Sequence, residues 1–286
     1  MMAILEKAQP RLVTENDRLI IANLMHFERY VHRHLGWRSP LEWIGAQPYL
    51  LLEDDGTPVV ALASPPDCPG VAWIQLFAAR DGGALSSWWH TLWEAARETL
   101  QQHKPMCAAA LPLQSWFTRL IVQAGFEQVD TVVMLAREWN GAALPPPSAT
   151  VRIRLMTIDD LPEVTRVDHA AFPLLWRQSA DELYSAYRQA ATATVAEKQG
   201  QVVGYQIGTA VGQWAGHLAR LAVLPDFQGG GIGTALVSDM LSYFSQKRIG
   251  RVTVNTQGEN DASLRLYQKL GFRLTGESVP MYALEV

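Results

Sequence analysis

The run Leu221-Ala222-Val223-Leu224-Pro225-Asp226-Phe227-Gln228-Gly229-Gly230-Gly231-Ile232-Gly233-Thr234 carries the residue types of an anion site. Glycines permit positive φ and close ligand approach, and the free amides and positive dipole end of a helix starting there attract phosphate oxygens. Spacing decides which phosphate. A nucleoside-triphosphate loop needs Gly-Lys-Ser/Thr, but Gly233 is followed directly by Thr234. A dinucleotide fingerprint needs glycines at relative positions 1, 3 and 6, and the sixth position is Thr234 counted from Gly229 or Leu236 counted from Gly231. A pyrophosphate fits the turn; a glycine-rich turn that binds nothing is the alternative. Further on, Asn260 suits a helix cap, and Ser263 and Tyr267, four residues apart, share a helical face beside an apolar stripe of Ala262, Leu266 and Leu270. That polar face is expected to look into a cleft, with a packed Tyr267 ring as the alternative.

The elements that must position these residues follow from periodicity and turn chemistry. Val151 to Met156 reads as a strand, Thr157 with Asp160 as a variant capping box, and Ala180 to Gln189 as a second helix. Ala193 to Glu197, Val202 to Thr209 and His217 to Val223 form an antiparallel meander, split at Gly200 and at the turn Gly212 to Gly216. A helix from Gly231 to Gln246 carries the apolar stripe Leu236, Val237, Met240, Leu241 and Phe244, before a strand from Val252 to Thr256. A helix from Asp261 to Leu270 stops at Gly271, and Phe272 to Thr275 with Val279 to Leu284 supply a closing hairpin. The predicted order is β-α-α-β-β-β-α-β-α-β-β.

The prolines of Asn140-Gly141-Ala142-Ala143-Leu144-Pro145-Pro146-Pro147-Ser148 mark a linker, which divides the 286 residues into a domain of 1–145, a linker of 146–150 and a domain of 151–286. The first half repeats the outline. Strands at Tyr49 to Glu53, Val59 to Ala63 and Ala72 to Ala78 precede helices at Trp88 to Leu100 and Ser115 to Ala124 and a strand at Val132 to Ala136. Gly125-Phe126 precedes Gly271-Phe272 by 146 residues and Gly56 precedes Gly200 by 144, as an internal duplication requires. Eight of the ten tryptophans lie here, among them Trp89 and Trp93 on one helical face, which is either buried on the sheet or an apolar wall of a pocket. His32 and His34, two apart, face different ways on a helix and are given no ligand role.

Composition narrows the partners. A net charge of -4, without a Lys/Arg-rich run, argues against nucleic acid, and 48% hydrophobic residues can fill packed cores. No stretch of about 18 apolar residues occurs, and the two cysteines, Cys68 and Cys107, show neither disulfide nor zinc spacing, so a soluble cytoplasmic protein off the membrane is expected. The sequence leaves the oligomeric state open.

The segment Gln228-x-x-Gly231-x-Gly233 after Ala-Val-x-Pro resembles the acetyl-CoA pyrophosphate loop of GNAT acetyltransferases. Asn260-Asp261-Ala262-Ser263-Leu264-Arg265-Leu266-Tyr267-Gln268-Lys269-Leu270-Gly271-Phe272 is similar to that family's second signature, in the right order and with a strand between. Phe172-Pro173 and Trp176 also look like the stretch between the first two helices of ribosomal-protein alanine acetyltransferases. The resemblance spans 151–286 and implies an α+β fold of two tandem GNAT-like domains, each a mixed, mostly antiparallel sheet flanked by helices. It implies direct transfer of acetyl from acetyl-CoA to a primary amine of a small molecule, peptide or protein N-terminus, with no covalent nucleophile and no metal. Leu221, Ala222 and Val223 would hold the pantetheine amides through their backbone, Gln228 to Thr234, with Gly229, Gly230 and Ile232, the pyrophosphate, and Asn260 and Ser263 the pantetheine arm.

Expelling a thiolate calls for a proton donor, which Tyr267 could supply. The attacking amine must be neutral, and His217 stands five residues before Ala222, where some family members carry a catalytic glutamate; it is either the base or a surface strand-end histidine. The acceptor pocket is expected between Phe172 to Gln178 and Glu277 to Tyr282. In the first half, Gln114, Phe117 and Ile121 stand where Asn260, Ser263 and Tyr267 would be, and Ala79 to Leu85 lacks the loop spacing. It resembles the inactive half of tandem family members such as mycothiol synthases. A non-catalytic acyl-CoA-binding regulator is the other reading.

Overall fold

The computed structural model describes residues 9–81, 84–103, 105–139, 151–212 and 214–286, which gather into two compact units. One comprises Met1–Val129 with Pro280–Val286, the other Asp130–Val279. The proline-rich linker, including 146–150, lies outside the described residues, as do the two glycines of the first half's loop, Gly82 and Gly83.

The first unit contains β1 (Arg11–Leu12), α1 (Arg18–Phe27), β2 (Tyr30–Arg33), β3 (Tyr49–Asp54), β4 (Thr57–Ala63), β5 (Pro66–Cys68), β6 (Val71–Trp73), β7 (Leu76–Ala79), α2 (Leu85–Leu100), β8 (Cys107–Ala110), α3 (Ser115–Gln123) and the start of β9 (Glu127–Glu138). Its main sheet runs β1-β3-β4-β7-β2. The strand expected over Ala72 to Ala78 is two strands, β6 and β7, because β6 leaves the meander to pair in parallel with β8. Trp89 and Trp93 stack at 5.7 Å and are buried against Phe77, Phe117 and Phe126, which makes them core rather than a pocket wall. His32 lies in β2 rather than on a helix. Residues two apart on an extended chain share a face, and the rings stack on Phe117 (4.0 Å) and Trp73 (4.6 Å), where burial lowers both pKa values, to about 3 for His32 and about 4 for His34.

The second unit continues β9 and adds β10 (Arg152–Leu155), α4 (Leu161–Ala171), α5 (Ala180–Gln189), β11 (Thr192–Lys198), β12 (Gln201–Val211), β13 (Ala215–Val223), α6 (Ile232–Gln246), β14 (Arg251–Gln257), α7 (Asp261–Lys269) and most of β15 (Arg273–Glu285). β10 to β13 are antiparallel neighbours, β13 and β14 pair in parallel, and β14 pairs antiparallel with β9 from Arg251↔Glu138 to Gln257↔Val132. The predicted closing hairpin is one strand, β15, that passes through Gly276 at φ 88° without reversing. A core of Val237, Met240, Leu241 and Phe244 from α6 with Tyr267 of α7 and Leu270 at its C-terminal cap packs on Leu218, Val252, Val254 and Leu135 of the sheet.

The duplication is visible atom by atom. In the first unit Arg11 bonds Glu53 through Nε (3.0 Å) and Asp17 through both Nη atoms (2.9 and 2.7 Å), while Asp17 accepts from the Thr14 amide (2.9 Å). In the second, Arg154 bonds Glu197 through Nε (2.8 Å) and Asp160 through both Nη atoms (2.8 Å each), while Asp160 accepts from the Thr157 amide (2.8 Å). Each pins the first strand to the start of the first helix.

Candidate functional site

The parallel pairing of β13 with β14 ends at Leu218↔Val254, yet β13 runs on to Val223, still paired with β12 at Gly204. A bulge after Leu218 turns the strand, so Leu221, Ala222 and Val223 present an edge that β14 has left. That edge opens onto a cavity of about 750 Å³ whose lining residues all belong to the second unit. An unpaired edge offers amides and carbonyls to an extended ligand as another strand would.

Beyond Val223 the chain turns into α6. The Gln228 side chain donates to the Val223 carbonyl (3.0 Å), which ties the loop to the strand it leaves. Gly231 sits at φ 81°, a left-handed conformation that a side chain would strain, and it starts the helix. The α6 ladder opens only with Ala235 N–H on the Gly231 carbonyl (3.0 Å), so the first-turn amides have no partner within the helix. Gln228, Gly229, Gly231, Ile232, Gly233 and Thr234 line the cavity, whereas Gly230 is exposed and does not.

Helix α7 closes the opposite side. Asn260 caps it, Oδ1 accepting from the Ser263 amide (3.0 Å), and both residues line the cavity. The helix face differs from the expectation: Ala262, Arg265, Leu266 and Lys269 face the cavity with Ser263, and Tyr267 does not line it. The Tyr267 ring is buried with Phe272 5.8 Å away, and its hydroxyl is hydrogen-bonded to the Ser263 side chain; burial pushes its pKa up against that bond, so it stays protonated at neutral pH. His217 does not line the cavity either. It shares a hydrogen bond through Nδ1 with Thr253 Oγ1 (2.9 Å), and burial pushes its pKa down.

The remaining wall is Ala171, the last residue of α4, with Phe172, Pro173 and Trp176 from the segment between α4 and α5. A buried network that the spacing does not reveal sets its course. The Asp168 carboxylate, fully buried, accepts from the Tyr205 hydroxyl, from Arg220 Nε (2.8 Å) and from the Gln178 amide (3.0 Å). Arg220 also donates to the Trp176 carbonyl (2.5 Å) and lies 3.6 Å over the Phe172 ring. Burial, then the Asp168 charge, raises the Tyr205 pKa, which keeps its hydroxyl a donor. Asp130 of β9, Gln257 of β14 and Glu259 also line it, all three outside the two signatures, and Phe227 lines it from within the loop. Glu277 to Tyr282, expected on the acceptor side, are absent from it, since β15 continues as a strand there.

The first unit closes the equivalent edge. Its third meander strand, β7, is paired along Leu76 to Ala79 with β2, from Arg33↔Leu76 to Tyr30↔Ala79. That edge is covered by another strand of the same unit.

The Acetyltransferase (GNAT) family profile matches residues 161–272. An uncharacterized N-acetyltransferase of Methanocaldococcus jannaschii is 32% identical over 124 residues, 42% of this chain and 77% of that protein. A mycothiol acetyltransferase of Amycolatopsis mediterranei is 28% identical over 172 residues, 54% of this chain and 57% of that one. The chain spans about half the length of the mycothiol acetyltransferases it matches first. Among solved structures, a GCN5-related N-acetyltransferase from Kribbella flavida superposes with a TM-score of 0.69 at 15% identity, over 99% of this chain and 72% of that one. A tandem GNAT protein from the clavulanic acid biosynthesis pathway gives 0.60 at 15% identity, over 97% of each chain.

Proposed function

The chain belongs to the GNAT acetyltransferase family, and from that premise we propose that its second half, 151–286 as divided by the linker prolines, together with the β9 strand, transfers acetyl from acetyl-CoA to a primary amine. The observation that carries the reading is the single cavity joining the free edge of Leu221 to Val223, the first-turn amides of α6 and the aromatic wall of Phe172 and Trp176. The pantetheine would extend β13, the pyrophosphate would sit on the α6 amides, and the amine would approach from the aromatic end.

In the reaction the neutral amine nitrogen attacks the thioester carbonyl carbon, the C–N bond forms, the C–S bond breaks, and one proton passes from nitrogen to the thiolate. Tyr267, held protonated by burial, is the proton donor in this reading, next to the cavity-lining Ser263. His217, kept neutral by burial, is the base, drawing the amine proton through water because its ring stands back from the cavity. β2 on β7 supports one cofactor site per chain.

Calorimetric titration with acetyl-CoA tests the cofactor half. The wild type is expected to bind one equivalent and Gly231→Glu none, and equal binding by both would remove the loop from the site. Tyr267→Phe is expected to leave acetyl-CoA affinity within about twofold and to slow thiol release on a panel of amines by about 10²-fold or more. Binding without turnover on any amine would favour the acyl-CoA-binding regulator instead.

A further inference from the structure

The cavity is lined by charges of both signs. Arg265 and Lys269, one turn apart on α7, are among its lining residues. Asp130 and Glu259 line it too, brought together because the Gly258 amide donates to the Thr131 carbonyl (2.7 Å) where β9 and β14 meet. The Asp130 carboxylate is held in a set orientation: Oδ1 accepts from the Thr131 amide (2.7 Å) and Oδ2 from the Trp176 indole Nε1 (3.2 Å). A carboxylate offers about four acceptor positions, so two remain for a ligand. Among the described residues no arginine, lysine or histidine forms an ion pair with Asp130.

An oriented carboxylate that no protein cation neutralises, set in a cavity wall beside the Trp176 ring, has one ligand charge it can accept. We propose that Asp130 selects the acceptor: the substrate is an amine that carries a second cationic group, received by Asp130, and no carboxylate. The second charge docks at Asp130 while the other nitrogen, unprotonated, reaches toward the edge of Leu221 to Val223. An anionic acceptor docked there would be repelled by the Asp130 and Glu259 carboxylates. This rests on the acetyl-transfer reading but is separable from it, because it concerns which amine binds rather than whether acetyl moves.

The test uses three amines with the same four-carbon chain, 1,4-diaminobutane, n-butylamine and 4-aminobutanoate, on the full chain. Binding to the protein saturated with CoA is measured by calorimetry, and kcat/KM with acetyl-CoA by thiol release. The wild type is expected to favour the diamine over butylamine by about 10- to 100-fold and to rank 4-aminobutanoate last, as a charge-assisted hydrogen bond would make it. Asp130→Asn is expected to abolish the diamine advantage while acetyl-CoA affinity stays unchanged. Trp176→Phe, which removes the indole donor and leaves the charge, is expected to keep most of that advantage. A wild type indifferent to the second charge, one that prefers the carboxylate, one that binds none of the three, or an Asp130→Asn variant that keeps the preference would each overturn the proposal. Diamine-selective binding lost in Asp130→Asn without any acetyl transfer would uphold it and sink the transferase reading; transfer without charge preference would do the reverse.

Discussion

Asp168 is a carboxylate with no exposure to water, tolerable because Tyr205, Arg220 and the Gln178 amide all donate to it. Arg220 is the joint of this arrangement, since one guanidinium pairs with Asp168, bonds the Trp176 carbonyl and stacks on Phe172. Removing it by Arg220→Met would strand a buried charge, at a cost of about 3–5 kcal/mol. Arg220→Lys keeps the charge without the planar fork, so it is expected to cost less and to loosen the wall. For that variant we expect the acceptor KM to rise several-fold with kcat and acetyl-CoA affinity nearly unchanged, measured by steady-state kinetics and calorimetry. An acetyl-CoA affinity that fell in step with KM would place the effect at the cofactor end.

The repeated junction between first strand and first helix has a pH signature. Arg154, with the Thr157 amide and hydroxyl, lowers the Asp160 pKa from 3.8 to about 2. A carboxylate lowered on folding contributes stability that is complete above the unfolded value and is lost as pH falls through the folded one, here from about pH 4 down to about 2. Arg154→Met is therefore expected to lose about 1–2 kcal/mol at pH 6, an amount moderated by partial exposure, and only a small remainder of that near pH 2, read from urea midpoints. A gap of equal size at both pH values would locate the effect outside the ion pair. Elements of this kind were legible in the sequence because their determinants are local: the Ser179 hydroxyl accepts from Glu182 N (3.1 Å), and α5 spans the predicted Ala180–Gln189. What escaped is pairing decided far along the chain. No local pattern in Leu221 to Val223 says that β14 leaves their edge, or that four residues at Tyr30 would cover the equivalent edge of β7. Tyr267 was placed on the cleft face by i, i+4 reasoning alone, whereas the packing of α7 on β14 and Phe272 turns its ring inward.

Across the whole chain, the Gly125/Gly271 and Gly56/Gly200 spacings exposed the duplication, since each copy needs the same turns. The exchange at the strand ends left no such mark: prolines show where a chain extends, not which sheet its flanking strands join. Asp130 to Glu138 belong to the second unit and Pro280 to Val286 to the first. A fragment begun at residue 151 therefore lacks the strand that pairs Val132 to Glu138 with Arg251 to Gln257 and takes Leu135 from the core that holds Val254 and Phe272. It also lacks Asp130, and its last residues lose the pairing of Tyr282 with Ala110. Exposing the edge of β14 with its apolar face invites association. We expect the 151–286 fragment to aggregate or unfold without a cooperative transition and to bind no acetyl-CoA, while a fragment begun at Glu127 regains β9 and, with it, measurable binding. Solubility, urea unfolding and calorimetry on the two fragments decide the matter. A 151–286 fragment that unfolds cooperatively and binds acetyl-CoA as the full chain does would mean that β9 is dispensable and that the catalytic half begins where the prolines end.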